Sequence, residues 1–225
     1  VGDSLAVLVA ARNEADRVGD TIRALRGAFP GAQIWVADDA STDDTQGVAM
    51  AAGAQVVSRG RPHGKGANVT AAAEAALSVA PPDRFLLCDA DLGPSASALT
   101  PLVDAVERGE CDLAVAAFSR RVGGGFGFAL GFARWAIRRR CGLEIRAPIS
   151  GQRAMGADVL RDVLPFADGY GMEVGMTIDA VRAGRTVREY ELDLSHRASG
   201  RTIGGFAHRA RQMGDFARAY ASRRG

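Results

Sequence analysis

Lysine is almost absent from this chain. Lys65 stands alone among 28 basic residues, and every other one is arginine. Cysteine is scarce too. Cys88, Cys111 and Cys141 are odd in number, scattered and without a C-x-x-C pair, so they read as reduced thiols rather than a disulfide framework. No apolar run reaches membrane-spanning length, and no basic-then-apolar leader opens the chain. These absences lead to the expectation of a cytoplasmic protein. Aromatics make up 6% of the residues and never interleave with basic side chains as a stacking platform, so no nucleic-acid partner is expected. Two nucleotide motifs are also missing. Gly60 and Gly64 are separated by three residues and Gly66 follows Lys65, which is not a P-loop, and no strand leads into a G-x-G-x-x-G between Gly123 and Gly131.

What is present suits one α/β domain: 225 residues, 47% hydrophobic and 24% charged. Leu5–Ala10, Gln33–Ala37, Gln55–Val57, Phe85–Cys88 and Asp112–Phe118 read as strands. Helical patterns alternate with them: from Val18 to Phe29, to about Ala52, from Ala67 to Val79, and from Pro94 to Arg108. This is the rhythm of a mostly parallel sheet. Beyond it, Gly131–Arg140, Val159–Leu164 and Met172–Ala183 read as helices, and Ile149–Met155 and Thr186–Leu194 as strands. Ile203–Tyr220 reads as a basic amphipathic helix. Charge is segregated: residues 1–118 carry nine basic and sixteen acidic side chains, residues 119–225 nineteen and ten. An acidic half beside a basic half suits a metal site facing an anionic partner.

Three strands end in polar clusters: Arg12-Asn13-Glu14, Asp38-Asp39 and Asp89-Ala90-Asp91. In a parallel sheet these ends share one edge, where α/β proteins bind ligands. The spacing of Asp89 and Asp91 fits a hard divalent cation bridging phosphate oxygens, or else an ordinary turn. Lys65, between Gly64 and Gly66 at a helix start, is placed to meet a phosphate.

The motifs in this order resemble those of the family 2 glycosyltransferases of GT-A fold: Val9-Ala10-Ala11-Arg12-Asn13-Glu14, then Val36-Ala37-Asp38-Asp39-Ala40-Ser41-Thr42-Asp43-Asp44-Thr45, Gly64-Lys65-Gly66 and Asp89-Ala90-Asp91. Ser150-Gly151-Gln152-Arg153, His196-Arg197 and Gly200-Arg201 are similar to the polyprenyl-phosphate sugar-transferase branch and its soluble relatives. The resemblance implies a Rossmann-like α/β/α sandwich spanning 1–225, with a nucleotide-sugar half (1–118) and an acceptor half (119–225). It implies transfer of a sugar from a UDP- or GDP-sugar, with inversion in the family's usual form. Ala11, Arg12, Glu14, Asp39, Lys65 and Asp89 would line the nucleotide pocket. Asp91 would hold Mg²⁺ or Mn²⁺, joined by Asp89 and His196. The metal would offset the charge of the departing diphosphate.

Glu173, opening a helix, is the candidate general base for a hydroxyl acceptor; a phosphate acceptor needs none. Arg153, Arg197 and Arg201, with Arg120 and Arg121, are candidates for an anionic acceptor. That acceptor is a polyprenyl phosphate at the inner membrane face or a small phosphorylated metabolite. Two departures speak against the lipid. Ala147-Pro148 stands where that branch carries Asp, and Arg201-Thr202 where it carries Ser-Lys. The tail helix suits packing on the domain, peripheral membrane contact or self-association. The rival readings are a sugar-phosphate nucleotidyltransferase, whose Gly-rich signature is missing after the first strand, and a nucleotide-binding module without turnover.

Overall fold

A computed structural model describes residues 4–118, 127–194, 214–215 and 218–223. Among the described residues, seven strands form one sheet in the order β3-β2-β1-β4-β6-β5-β7. They are β1 (Leu5–Ala11), β2 (Gln33–Asp38), β3 (Gln55–Ser58), β4 (Arg84–Asp89), β5 (Leu113–Phe118), β6 (Arg153–Gly156) and β7 (Val187–Leu192). The helices are α1 (Val18–Ala28), α2 (Thr45–Ala51), α3 (Lys65–Val79), α4 (Thr100–Glu107), α5 (Gly127–Cys141), α6 (Ala157–Val163) and α7 (Met172–Arg182).

β1 is apolar throughout because both of its faces are covered. Val7 and Val9 join Ile34, Val36 and Leu86 under Val18, Ile22 and Leu25 of α1. Ala6 and Leu8 join Trp35, Phe85 and Leu87 under the alanine-rich face of α3 and under α6 and α7. A third cluster lies between α5 and α7, built on Ala133, Ile137, Val174 and Ile178. The layers are those of an α/β/α sandwich.

The sheet departs from a purely parallel one at a single strand. β6 runs antiparallel to both β4 and β5, between which it is inserted. It is also shorter than the strand read at Ile149–Met155, because residues 148–152 form a turn clasped by Arg153. The helix read from Pro94 to Arg108 is instead a 3-10 run, Ala90–Leu99, followed by α4. Gly93 (φ 54°) breaks the run, and Pro94 has no N–H to continue an α-helical ladder. α3 starts two residues before the helix read there, so Lys65 is its first residue. Of the tail helix, residues 214–215 and 218–222 are described and helical. Among the described residues, no helix is long and apolar enough to cross a membrane.

Candidate active site

The parallel strands deliver the polar clusters to one edge. Ala11 pairs in register with Asp38, and Ala10 with Asp89, so the ends of β1, β2 and β4 lie side by side. The turns that leave them are held open in unusual backbone. Asn13 (φ 55°) and Ala40 (φ 54°) both occupy the left-handed region, which costs a non-glycine residue about 1 kcal/mol or more. Cross-bonds hold them there. Asn13 N–H donates to Ser41 Oγ, Thr42 N–H to Asn13 Oδ1 and Glu14 N–H to Thr45 Oγ1.

Asp39 anchors the neighbouring loop. Its Oδ1 accepts from the backbone N–H of His63 at 2.7 Å and of Gly64 at 3.1 Å, and from Asn68 Nδ2 at 2.6 Å. Gly64, at φ 84°, makes the turn that aims two consecutive N–H groups at one oxygen. Oδ2 faces Arg12 Nη1 at 3.3 Å, and that arginine is half exposed. Asp39 therefore positions the loop before α3 with one oxygen and engages Arg12 with the other. Asp38 turns inward, accepting from Ser41, Gln46 and Ser58.

At the centre is Lys65. Its Nζ lies 2.7 Å from Asp89 Oδ1 and 2.8 Å from Glu173 Oε1. Burial works against the ammonium, but the charges of Asp89 and Glu173 and their hydrogen bonds outweigh it, so the pKa rises above the ordinary lysine value. The one lysine of the chain thus joins the end of β4 to the start of α7 as a fixed cation. Gly66, next along, has no room for a side chain, because a Cβ there would collide with the Ala167 carbonyl oxygen.

Asp89 is held on both oxygens, since Gln152 Nε2 donates to Oδ2 at 2.8 Å. Gly151 permits this approach: a Cβ there would sit 2.6 Å from Lys65 Nζ and 2.7 Å from Asp89 Oδ2. Cys88, just before it, is buried, and burial followed by the charge of Asp89 pushes its thiol up, which leaves it inert. Asp91 lies half-buried in the 3-10 run after β4, and its carbonyl accepts from Arg17 Nη1 at 3.1 Å.

One of the expected roles changes. Arg153, read as an acceptor contact, is completely buried. Its Nε donates to the Ser150 carbonyl, Nη2 to the Pro148 carbonyl and Nη1 to Thr177 Oγ1, so the guanidinium is spent on internal acceptors. Burial lowers its pKa to about 10, against the opposing charges of Glu173 and Glu189. Asp89, expected at the ribose or the metal, has Lys65 on Oδ1 and Gln152 on Oδ2. His196, Arg197 and Arg201, and likewise Arg120 and Arg121, lie outside the described residues. Ala11, Arg12, Glu14, Asp39, Lys65, Asp89, Asp91 and Glu173 all fall at the sheet edge or on the elements that flank it. The sequence pattern does not single out Asn68 or Thr177, and it gives Gln152 only as part of its motif. Asn68 carried one signal, its place four residues after Gly64 at a helix start.

Among the described residues no group of three or more His, Cys, Asp or Glu side chains is arranged to hold a metal ion. The donor chemistry still fits a hard divalent cation. Such ions bound with a diphosphate need one or two protein carboxylates, because the substrate supplies further oxygens, and Asp91 offers one.

A parallel sheet whose strand ends gather acidic residues around a lysine defines a Rossmann-like nucleotide-binding fold. A family model, glycosyl transferase family 2, matches residues 6–162, and the chain belongs to that family. A glucosyl-3-phosphoglycerate synthase of Mycolicibacterium paratuberculosis is 33% identical over 205 residues, covering 79% of this chain. This chain spans 60% of that relative's length. The Mycobacterium tuberculosis glucosyl-3-phosphoglycerate synthase, solved with Mn²⁺, UDP-glucose and phosphoglyceric acid, superposes with a TM-score of 0.77 at 27% identity. That match covers 98% of this chain and 80% of the solved one. The same enzyme with Mg²⁺ and UDP gives a TM-score of 0.77 at 28% identity, covering 99% and 79%. The fold is the GT-A architecture of these neighbours.

Proposed function

We propose that this chain is a metal-dependent glucosyltransferase that moves glucose from UDP-glucose to a small phosphorylated acid of the phosphoglycerate type. The observation that carries the reading is Lys65 clasped between Asp89 and Glu173 at the sheet edge. On this reading it links a nucleotide side, on β1, β2 and β4, to an acceptor side on α7. The relatives supply the ligands: their structures hold Mn²⁺ with UDP-glucose and phosphoglyceric acid, or Mg²⁺ with UDP.

On this reading Arg12 and Asp39 meet the nucleoside, with Ala11 and Glu14 shaping the pocket wall. Asp89 meets the ribose, its orientation set by Lys65 and Gln152. Asp91 holds Mg²⁺ or Mn²⁺, joined by His196. Bound metal supplies charge neutralisation for the departing diphosphate. Lys65 adds a fixed positive charge beside the reacting groups, where charge develops as the sugar leaves. Glu173 takes the proton of an acceptor hydroxyl. Arg197 and Arg201 receive the acceptor's anionic groups. The small acceptor is favoured over a polyprenyl phosphate because the relatives bind phosphoglyceric acid.

The test is a transfer assay with UDP-glucose, Mn²⁺ or Mg²⁺, and either 3-phosphoglycerate or detergent-solubilised polyprenyl phosphate. The expected result is a glucosylated phosphoglycerate by mass spectrometry, lost with EDTA. Product only with the lipid would overturn the acceptor assignment. Nucleotide binding without any product would favour the inactive module. Proton coupling at the anomeric carbon of the product checks the inversion that the family resemblance implies.

A further inference from the structure

Gln152 is 2% exposed, immediately before β6. Its side-chain amide is fixed at both ends. Oε1 accepts from Ser150 Oγ at 3.1 Å, and Nε2 donates to Asp89 Oδ2 at 2.8 Å. The Ser150 hydroxyl thus favours the amide orientation that turns the N–H group toward the carboxylate. Asp89 is gripped from two sides, by a neutral planar amide on Oδ2 and by the Lys65 ammonium on Oδ1.

The two grips differ in kind. Lys65 is a point charge on a flexible stem, shared with Glu173, and it tolerates rotation of the carboxylate. Gln152 sits on a segment that is itself fastened. Its carbonyl accepts from Ala116 N–H of β5, and Arg153 ties the turn before it to Thr177 of α7. Thr177 Oγ1 in turn donates to the Glu173 carbonyl. Gly151 leaves the gap through which the segment reaches Asp89.

We propose that Gln152 is a positioning residue for the nucleotide-sugar donor, fixing the plane of the Asp89 carboxylate so that it meets the donor in one orientation. This rests on the UDP-glucose reading given above. Removing the amide takes away the planar donor on Oδ2 that sets the carboxylate's orientation. Donor recognition then suffers, while the acceptor is unaffected.

The experiment is steady-state kinetics and calorimetry on the full chain with UDP-glucose, Mn²⁺ and 3-phosphoglycerate. Gln152→Met is expected to raise KM for UDP-glucose by about ten- to a hundredfold, the usual weight of a hydrogen bond to a charged group. KM for the acceptor should stay within about twofold. Gln152→Glu keeps the shape and the Ser150 bond but turns an acceptor toward Asp89, and should show the same split if Gln152→Met does not fold. In an Asp89→Asn background, Gln152→Met should change donor KM by less than about twofold, because residues acting through one another are not additive. Equal rises in both KM values, an unchanged donor KM or additive effects would overturn the proposal. Wild-type protein that binds no UDP-glucose overturns the donor reading and this proposal with it. Wild-type binding matched by the variants overturns the role of Gln152 alone.

Discussion

Arginine serves at every basic position of this chain except one, and at that one it does not fit. Lys65 Nζ sits so close to Gly151 that even a methyl group there would fall 2.6 Å from it. A guanidinium is broader than an ammonium and presents its donors in a plane, whereas Lys65 must reach two carboxylates from one atom. Lys65→Arg is therefore expected to lower kcat/KM by at least about tenfold, and Lys65→Met by more, since the buried carboxylate of Glu173 and the part-buried one of Asp89 then lose the cation between them. Retained activity in Lys65→Arg would show that a compact cation is not required. Asp91→Ala should abolish transfer while circular dichroism stays unchanged; undiminished turnover would remove Asp91 from the metal role. At this scale the sequence is informative about which acids reach the sheet edge and less so about what each one bonds. Asp39, Asp89 and Glu173 stand out by position alone. That Asp39 spends one oxygen on the 59–64 loop depends on a turn at Gly64 that no local pattern specifies. Arg153 looked like a surface cation because arginine usually is one. Its burial depends on carbonyls at Pro148 and Ser150 meeting Thr177 from a distant helix.

Among the elements, β6 carries the design. It is four residues long and antiparallel, inserted between β4 and β5, and the turn before it brings Gly151 and Gln152 over Asp89. Arg153 holds that turn to α7. Arg153→Met leaves two carbonyls and a hydroxyl short of a donor in the interior, and should destabilise the fold by about 3 kcal/mol, read by urea denaturation. A loss below about 1 kcal/mol would mean the turn is held by other contacts. The strands that read clearly in the sequence, β1, β2, β4 and β5, are apolar runs buried on both faces. β6 is short and its approach is polar, so its bounds and direction depended on packing rather than pattern.

The far end of the sheet offers a pH test. Asp112 at the foot of β5 accepts from Thr186 N–H at 2.7 Å and from the Thr186 hydroxyl, before β7. The Thr186 hydroxyl and backbone bonds hold its carboxyl below the ordinary value of 3.8. A depressed carboxylate stabilises the fold above the unfolded pKa, and that stabilisation is lost as pH falls through the folded one. Asp112→Ala should thus be less stable than wild type at neutral pH, by about 1 kcal/mol. The gap should narrow only below about pH 3.8. A gap that closes between pH 5 and 7 would assign the effect to another group.

For the whole molecule, the division into an acidic first half and a basic second half is legible in the sequence, but the sheet does not respect it. β4 of the first half pairs with β6 of the second, which pairs with β5 of the first, and β7 closes the row. The two halves share one core, so the charge boundary falls across a continuous fold. The nucleotide edge therefore depends on residues far along the chain: Lys65 is held by Glu173, and Asp89 by Gln152. The most direct test of the account is a calorimetric titration of the protein with UDP-glucose, with and without Mn²⁺, for wild type and Asp91→Ala. The account predicts binding that Mn²⁺ strengthens in wild type and leaves unchanged in the variant. Binding of equal strength with and without Mn²⁺ in both proteins would contradict it.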